Sequence, residues 1–226
     1  MILQIEPWID ENEKKYLDMV VKSTFVTEHV LTKQFENRIK ELTGSKHAIA
    51  ITNGTAALYC CLLSLGIGPG DEVIVPNLTF VATANSVIMT GATPVFCDVC
   101  PKSMCIEVDQ VKKLINKNTR CIIPVHLFGN ASQMNDLCNF AKDNKIKIIE
   151  DAAQGVGVKV DGQHVGTFGD LGILSFYGNK TITCGEGGII LTENDALAER
   201  CYQLKNHGRS KKGVFVHETI GFNFAF

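Results

Sequence analysis

Between His47 and Lys147 the sequence switches repeatedly between short apolar runs and segments of helical periodicity. His47-Ala48-Ile49-Ala50-Ile51, Glu72-Val73-Ile74-Val75, Thr93 to Val99, Arg120 to Leu127 and Lys145 to Glu150 read as strands. They are apolar nearly throughout, as strands covered on both faces are. Helices fit between them: from Ala56 onward, from Phe80 to Thr90, from Asp109 to Ile115 and from Ser132 to Asp143. Alternation of this kind demands parallel pairing through right-handed crossovers, so the expected fold is α/β with a mostly parallel sheet sandwiched by helices. Upstream, Asp10 to Val21 reads as a helix with Tyr16, Leu17 and Val20 on one side. A second helix, capped by Thr32, carries Phe35, Ile39 and Leu42 and stops at Gly44. Both apolar stripes are expected to be core contacts. Downstream, Leu171 to Leu174 and Ile189 to Leu191 read as strands, Asp161-Gly162 as the turn of a small hairpin, and Asp195 to Lys205 as a helix. The tail from Asn206 has no clear assignment. No internal repeat, low-complexity tract or domain boundary is visible.

Composition narrows the class. The chain has 226 residues, 45% of them hydrophobic and 20% charged, with a net charge of -2. These values suit a globular domain and leave no basic footprint for nucleic acid. No run is apolar and long enough for a bilayer, and Met1 to Glu6 lacks the charged and apolar regions of a secretory signal, so a cytoplasmic protein without a membrane partner is expected. Nine cysteines, mostly in apolar runs, fit free thiols better than a disulfide framework. Cys97, Cys100 and Cys105 lack the second ligand pair that a zinc site needs, so no metal is expected.

The chemistry gathers at strand ends. Leu171 to Leu174 leads into Ser175-Phe176-Tyr177-Gly178-Asn179-Lys180, where Gly178 and Asn179 break the strand and present Lys180. A lysine just past a buried strand is desolvated, which suits Schiff-base chemistry. A lysine snorkelling beside a turn is the plain alternative. Thr52-Asn53-Gly54-Thr55 ends a strand and opens a helix, leaving backbone N–H groups free for a phosphate. Glu150-Asp151-Ala152-Ala153-Gln154 sets two carboxylates at another strand end. Strand alternation lets only one of them face a given site. Phe80 lies just past a third strand, where open α/β sheets bind ligands. His126 reads as a hydrogen-bonded core residue. Gly66 to Asp71 looks like a dinucleotide fingerprint but follows a helix and precedes a strand, the reverse of what that motif requires. This weighs against a nucleotide-sugar dehydrogenase or epimerase. Together these parts suit pyridoxal phosphate (PLP): Lys180 for the imine, Asp151 for the pyridine nitrogen, Gly54, Thr55, Ala56 and Ser175 for the phosphate, and Phe80 for the ring face.

The same stretches, with Gly68 to Pro76, Gly185-Glu186-Gly187-Gly188 and Asn206-His207-Gly208, resemble the PLP-dependent nucleotide-sugar aminotransferases of fold type I, the DegT/StrS family, and most closely its perosamine and viosamine synthase branch. The resemblance implies a seven-stranded large domain. It implies that Lys180 forms the Schiff base and shuttles the proton, that Asp151 pairs with the ring nitrogen, and that Gln154 lies near the phenolic oxygen. It also implies that Asn223 reaches the phosphate of a neighbouring subunit, making a homodimer with shared sites. The implied reaction moves an amino group from glutamate to C4 of a nucleotide-linked 4-keto-6-deoxyhexose. The lysine disfavours the family's histidine-bearing dehydratase branch. One departure stands out: the family usually has arginine where Ala225 stands and continues into a smaller C-terminal domain. Residues 1–226 would then be an N-terminal segment plus the PLP-binding large domain. On that expectation PLP binding survives, if weakly, and a truncated PLP-fold fragment with little or no catalytic activity is the competing reading to the aminotransferase.

Overall fold

The computed structural model describes residues 6–209 and 215–226. The N-terminal reading from Met1 to Ile5, and positions 210–214 of the tail, lie outside the described residues. In chain order the elements are α1 (Glu11–Ser23), α2 (Val30–Thr43), β1 (His47–Ile51), α3 (Gly54–Ser64), β2 (Glu72–Pro76), α4 (Ala82–Met89), β3 (Thr93–Cys97), α5 (Val108–Val111), β4 (Thr119–Ile122), α6 (Met134–Asp143) and β5 (Lys147–Asp151). The hairpin β6 (Lys159–Val160) and β7 (Gln163–His164) follows, then β8 (Leu171–Ser175), β9 (Gly188–Thr192) and α7 (Asp195–Lys205).

Seven strands form one sheet in the order β1-β9-β8-β5-β4-β2-β3. Within this sheet, among the described residues, only β9 runs against its neighbours β1 and β8 and the other pairings are parallel; β6 and β7 pair antiparallel outside it. Residue parity sorts the two faces. Ile49, Ile51, Val73, Val75, Ile149, Leu171 and Ile173 pack with Ala57, Leu58 and Leu62 of α3, Ala84 and Val87 of α4, and Ala198 and Cys201 of α7. Ile74, Ile122 and Ile148 pack with Met134 and Leu137 of α6 and Val111 of α5. Ala48, Ala50, Leu174 and Ile189 meet Ile39 of α2. Both faces are therefore covered, which explains the continuous apolar runs.

Some boundaries differ from the sequence expectation for local reasons. Thr32 is not the cap of α2: the helix starts at Val30, and Thr32 sits in its first turn, where its hydroxyl accepts from the His29 N–H at 3.4 Å. The fourth strand stops at Ile122, since Pro124 has no N–H to give a ladder. Val125 keeps a lone parallel bridge to Asp151, and a single 3-10 turn, Leu127–Gly129, follows. The apolar side of α1 is not a core contact either: α1 buries no residue, and Tyr16 and Leu17 are exposed. Of the α2 stripe, Phe35 and Ile39 reach the core while Leu42 stays at the surface. The unassigned tail runs back over the sheet, with Asn206 bridging Asn223 and the Thr52 N–H donating to the Phe224 carbonyl at 3.1 Å.

Candidate active site

Because β1, β8, β5 and β2 are mutually parallel, their C-terminal ends share one edge of the sheet. The antiparallel β9 brings its first residue to the same edge. Ile51, Gly188 and Ser175 lie in register across it.

The segment read from the sequence as a phosphate cradle, Asn53 to Ala56, forms the capped start of α3. The side chain of Asn53 accepts from the Ala56 N–H at 2.8 Å, which caps the helix. Among the described residues nothing accepts from the N–H groups of Gly54 and Thr55, so they open onto the edge. Ser175 closes the side of this cradle. A β-carbon on Gly54 would stand 3.2 Å from that of Ser175, and one on Gly188 would stand 2.6 Å from the Asn53 carbonyl carbon. The glycine-rich stretch thus lets β9 press directly on the Asn53–Gly54 peptide.

The two carboxylates part as strand alternation demands. Glu150 faces the α5/α6 side and is fully buried. It accepts from His126 Nε2 at 3.0 Å and from the N–H groups of Gly166, Phe168 and Gly169 at 2.6–2.8 Å. The Ser132 N–H donates to His126 Nδ1 at 3.3 Å, so the His126 proton sits on Nε2, aimed at Glu150. His126 and Glu150 are structural, as expected for the histidine.

Asp151 faces the α3/α4 side and is only 5% exposed. Its Oδ2 accepts from the Thr83 hydroxyl at 2.8 Å and its Oδ1 from the Ala153 N–H at 3.2 Å. Burial pushes the carboxyl above its ordinary value, opposed by these two donors and by the positive charge of Lys180. Lys180 sits half-buried in the turn after β8, its N–H donating to the Tyr177 carbonyl at 2.9 Å. Burial lowers its ammonium from the ordinary value, and the negative charge of Asp151 partly restores it. The carboxylate and the amine therefore share one electrostatic environment.

Gln154 is oriented by the backbone. Its Oε1 accepts from the Phe128 N–H at 2.6 Å, a residue held at φ 55°. A backbone N–H can only donate, so the side-chain amide must turn its NH2 outward, as a donor. Phe80 stands just before α4 and is 66% exposed, with its carbonyl accepting from the Thr83 N–H at 3.2 Å. Asn223 is also exposed, and within its own chain no described side-chain bond ties it to this edge. The structure thus gathers Gly54, Thr55, Ala56, Asp151, Ser175 and Lys180, sets Phe80 and Gln154 at the rim, and exposes Asn223 on the tail next to Phe224, whose carbonyl accepts from the Thr52 N–H.

Sequence reasoning passed over Thr83. Its signal was present but weak: it lies four residues after Thr79 and in the first turn of the helix that follows Phe80. Among the described residues no group of three His, Cys, Asp or Glu could hold a metal ion, and no helix is long and apolar enough to cross a membrane.

Solved structures carry this architecture. An aminotransferase from Psychrobacter cryohalolentis superposes with a TM-score of 0.93 at 34% identity, covering 98% of this chain and 60% of that one. The aminotransferase TlmJ from Streptoalloteichus hindustanus superposes at 0.96 with 30% identity, covering 100% and 62%. The fold is accordingly that of the PLP-dependent aminotransferases, α/β with a mostly parallel seven-stranded sheet. The chain belongs to the DegT/DnrJ/EryC1/StrS aminotransferase family, whose model matches residues 7–226. It is 39% identical over 225 residues to a GDP-perosamine synthase of Vibrio cholerae and 40% identical over 219 residues to one of Caulobacter vibrioides. It covers 61% and 59% of those two proteins, and the matches take in 99% and 96% of this chain.

Proposed function

We propose that this edge binds PLP and serves the transfer of an amino group from glutamate to the C4 keto carbon of a nucleotide-linked 4-keto-6-deoxyhexose. The observation that carries the reading is Asp151: a buried carboxylate with two hydrogen-bond donors, sharing its field with a desolvated lysine, beside an open helix N-terminus. Its unused lone pairs and raised pKa are what a cationic ring nitrogen would satisfy. The donor set fits the cofactor elsewhere as well. The free N–H groups of Gly54 and Thr55, with the Ser175 hydroxyl, suit a phosphate. The Gln154 NH2 suits an oxygen acceptor, and exposed Phe80 suits a ring face. When bound, PLP supplies an electrophilic carbonyl carbon and an electron-withdrawing ring.

On this reading Lys180 is both attachment point and proton carrier. Its lowered pKa keeps a larger share of the amine neutral, the form that attacks a carbonyl and takes up a proton. Asp151 holds positive charge on the ring nitrogen. Asn223, exposed on the tail, serves the phosphate cradle of a second copy in a homodimer. The C4 assignment follows the perosamine synthases. A C3 assignment is favoured by one observation: a UDP-N-acetyl-3-dehydro-alpha-D-glucosamine 3-aminotransferase of Acidithiobacillus ferrooxidans is 39% identical over 83% of this chain, which covers 51% of that protein.

The test is a single-turnover assay with the PLP-loaded chain. Glutamate should yield about one 2-oxoglutarate per bound cofactor. A GDP-linked 4-keto-6-deoxyhexose added next should take up one amino group by mass. Absence of 2-oxoglutarate would sink the donor assignment. Amination of a 3-keto sugar nucleotide alone would move the site of transfer to C3.

A further inference from the structure

We infer that Thr83 is a positioning residue for the site, acting through Asp151 and Phe80 together; the inference rests on the PLP reading above. Thr83 is fully buried, and its hydroxyl lies 2.8 Å from Asp151 Oδ2 and 2.9 Å from the Thr79 hydroxyl. An ionised carboxylate can only accept, so the Thr83 proton points to Asp151, and the Thr83 oxygen accepts from Thr79. The result is a one-way chain, Thr79 to Thr83 to Asp151, ending on the carboxylate. Thr83 also donates its backbone N–H to the Phe80 carbonyl, and its own carbonyl accepts from the Ser86 hydroxyl at 2.9 Å.

The position of Thr83 in the fold gives these bonds their purpose. Asp151 ends β5, and Phe80 precedes α4, which packs against a different region of the sheet. One residue therefore sets the carboxylate that would meet the ring edge and the aromatic that would meet the ring face. The hydroxyl fixes which way the carboxylate plane turns. Losing it would leave Oδ2 buried with no donor among the described residues and the carboxylate plane unset.

The experiment compares the wild type, Thr83→Val and Thr83→Ser, each alone and with Asp151→Asn, in the full chain. Three readouts are taken: melting temperature without cofactor, PLP dissociation constant, and the pH at which the bound cofactor's visible absorbance titrates. Thr83→Val should weaken PLP binding about tenfold or more, as expected for one hydrogen bond to a charged group. It should also shift the absorbance titration. Thr83→Ser should restore both. In the Asp151→Asn background, Thr83→Val should cost little further affinity. Equal losses in both backgrounds, or failure of serine to rescue a folded protein, would overturn the positioning role while leaving the PLP reading intact. A folded wild type that shows no Lys180–PLP adduct would overturn both.

Discussion

At the residue scale, Asp151 sets function against stability. Its folded-state pKa is raised, so the folded chain binds this proton more tightly than the unfolded chain does. The stabilising share of that proton is complete below about pH 3.9, the ordinary aspartate value, and is lost as the pH rises through the raised value. At neutral pH the ionised group is therefore a net cost to the cofactor-free fold. Asp151→Asn should melt several degrees higher than the wild type at pH 7 without PLP, with the gap closing as the pH falls into the acid range. The same variant should bind PLP far more weakly. A melting temperature unchanged at both pH values would show that Asp151 is not strained by burial. The lysine, the carboxylate and the helix-start residues that the proposal uses were visible in the sequence because each sits beside a strand end that apolar patterning marks. Thr83 was not, because its partner is 68 residues away and only the fold, which brings the first turn of α4 beside the end of β5, joins them.

At the element scale, the site depends on how β1 and β9 are held. Lys205 of α7 is 1% exposed and donates to both oxygens of Glu28 at 3.0 Å and to the Ala50 carbonyl at 2.7 Å. Glu36 of α2 accepts from the Ala50 N–H at 3.0 Å. Two charged side chains thereby satisfy Ala50 on the outer edge of β1, the strand that leads into α3, and cap that position against further pairing. Lys205→Met should destabilise the chain by about 3 kcal/mol, since it removes a buried ammonium that holds Glu28 and leaves the buried Ala50 carbonyl without its lysine donor. Chemical denaturation checks this, and a loss below about 1 kcal/mol would assign β1 to packing alone. Gly188→Ala should act on the site more than on the fold. Its β-carbon has backbone 2.6 Å away, so Asn53–Gly54 must shift. PLP affinity is expected to fall more than tenfold while a folded chain is still recovered. The glycine run was legible as unusual, but its reason is a contact between β9 and the start of α3 that no local pattern encodes.

At the scale of the whole molecule, the alternation of strands and helices was enough to predict the layered parallel sheet. The long-range antiparallel insertion of β9 was beyond local periodicity, because pairing direction is set by the chain path between strands. Exposed apolar side chains flank the site: Phe80, Val81 and Tyr177 beside its residues in sequence, and Phe128, whose N–H holds Gln154. Asn223 is exposed on the tail. On the proposed shared-site dimer, Lys180→Ala and Asn223→Ala damage different chains' contributions to one site. Mixing the two variants should restore tight PLP binding to a fraction of sites, because a mixed dimer holds one intact lysine–asparagine combination. Equilibrium titration of the mixture checks this. Binding no better than the average of the separate variants would place Asn223 outside the site.

The central claim is that Lys180 is the attachment point for PLP at an edge built around Asp151. Borohydride reduction of the PLP-loaded chain, followed by peptide mass mapping, tests it most directly. A single cofactor adduct is expected on Lys180, lost in Lys180→Arg and greatly reduced in Asp151→Asn. An unmodified Lys180 in a folded chain, or an adduct spread over surface lysines, would contradict it.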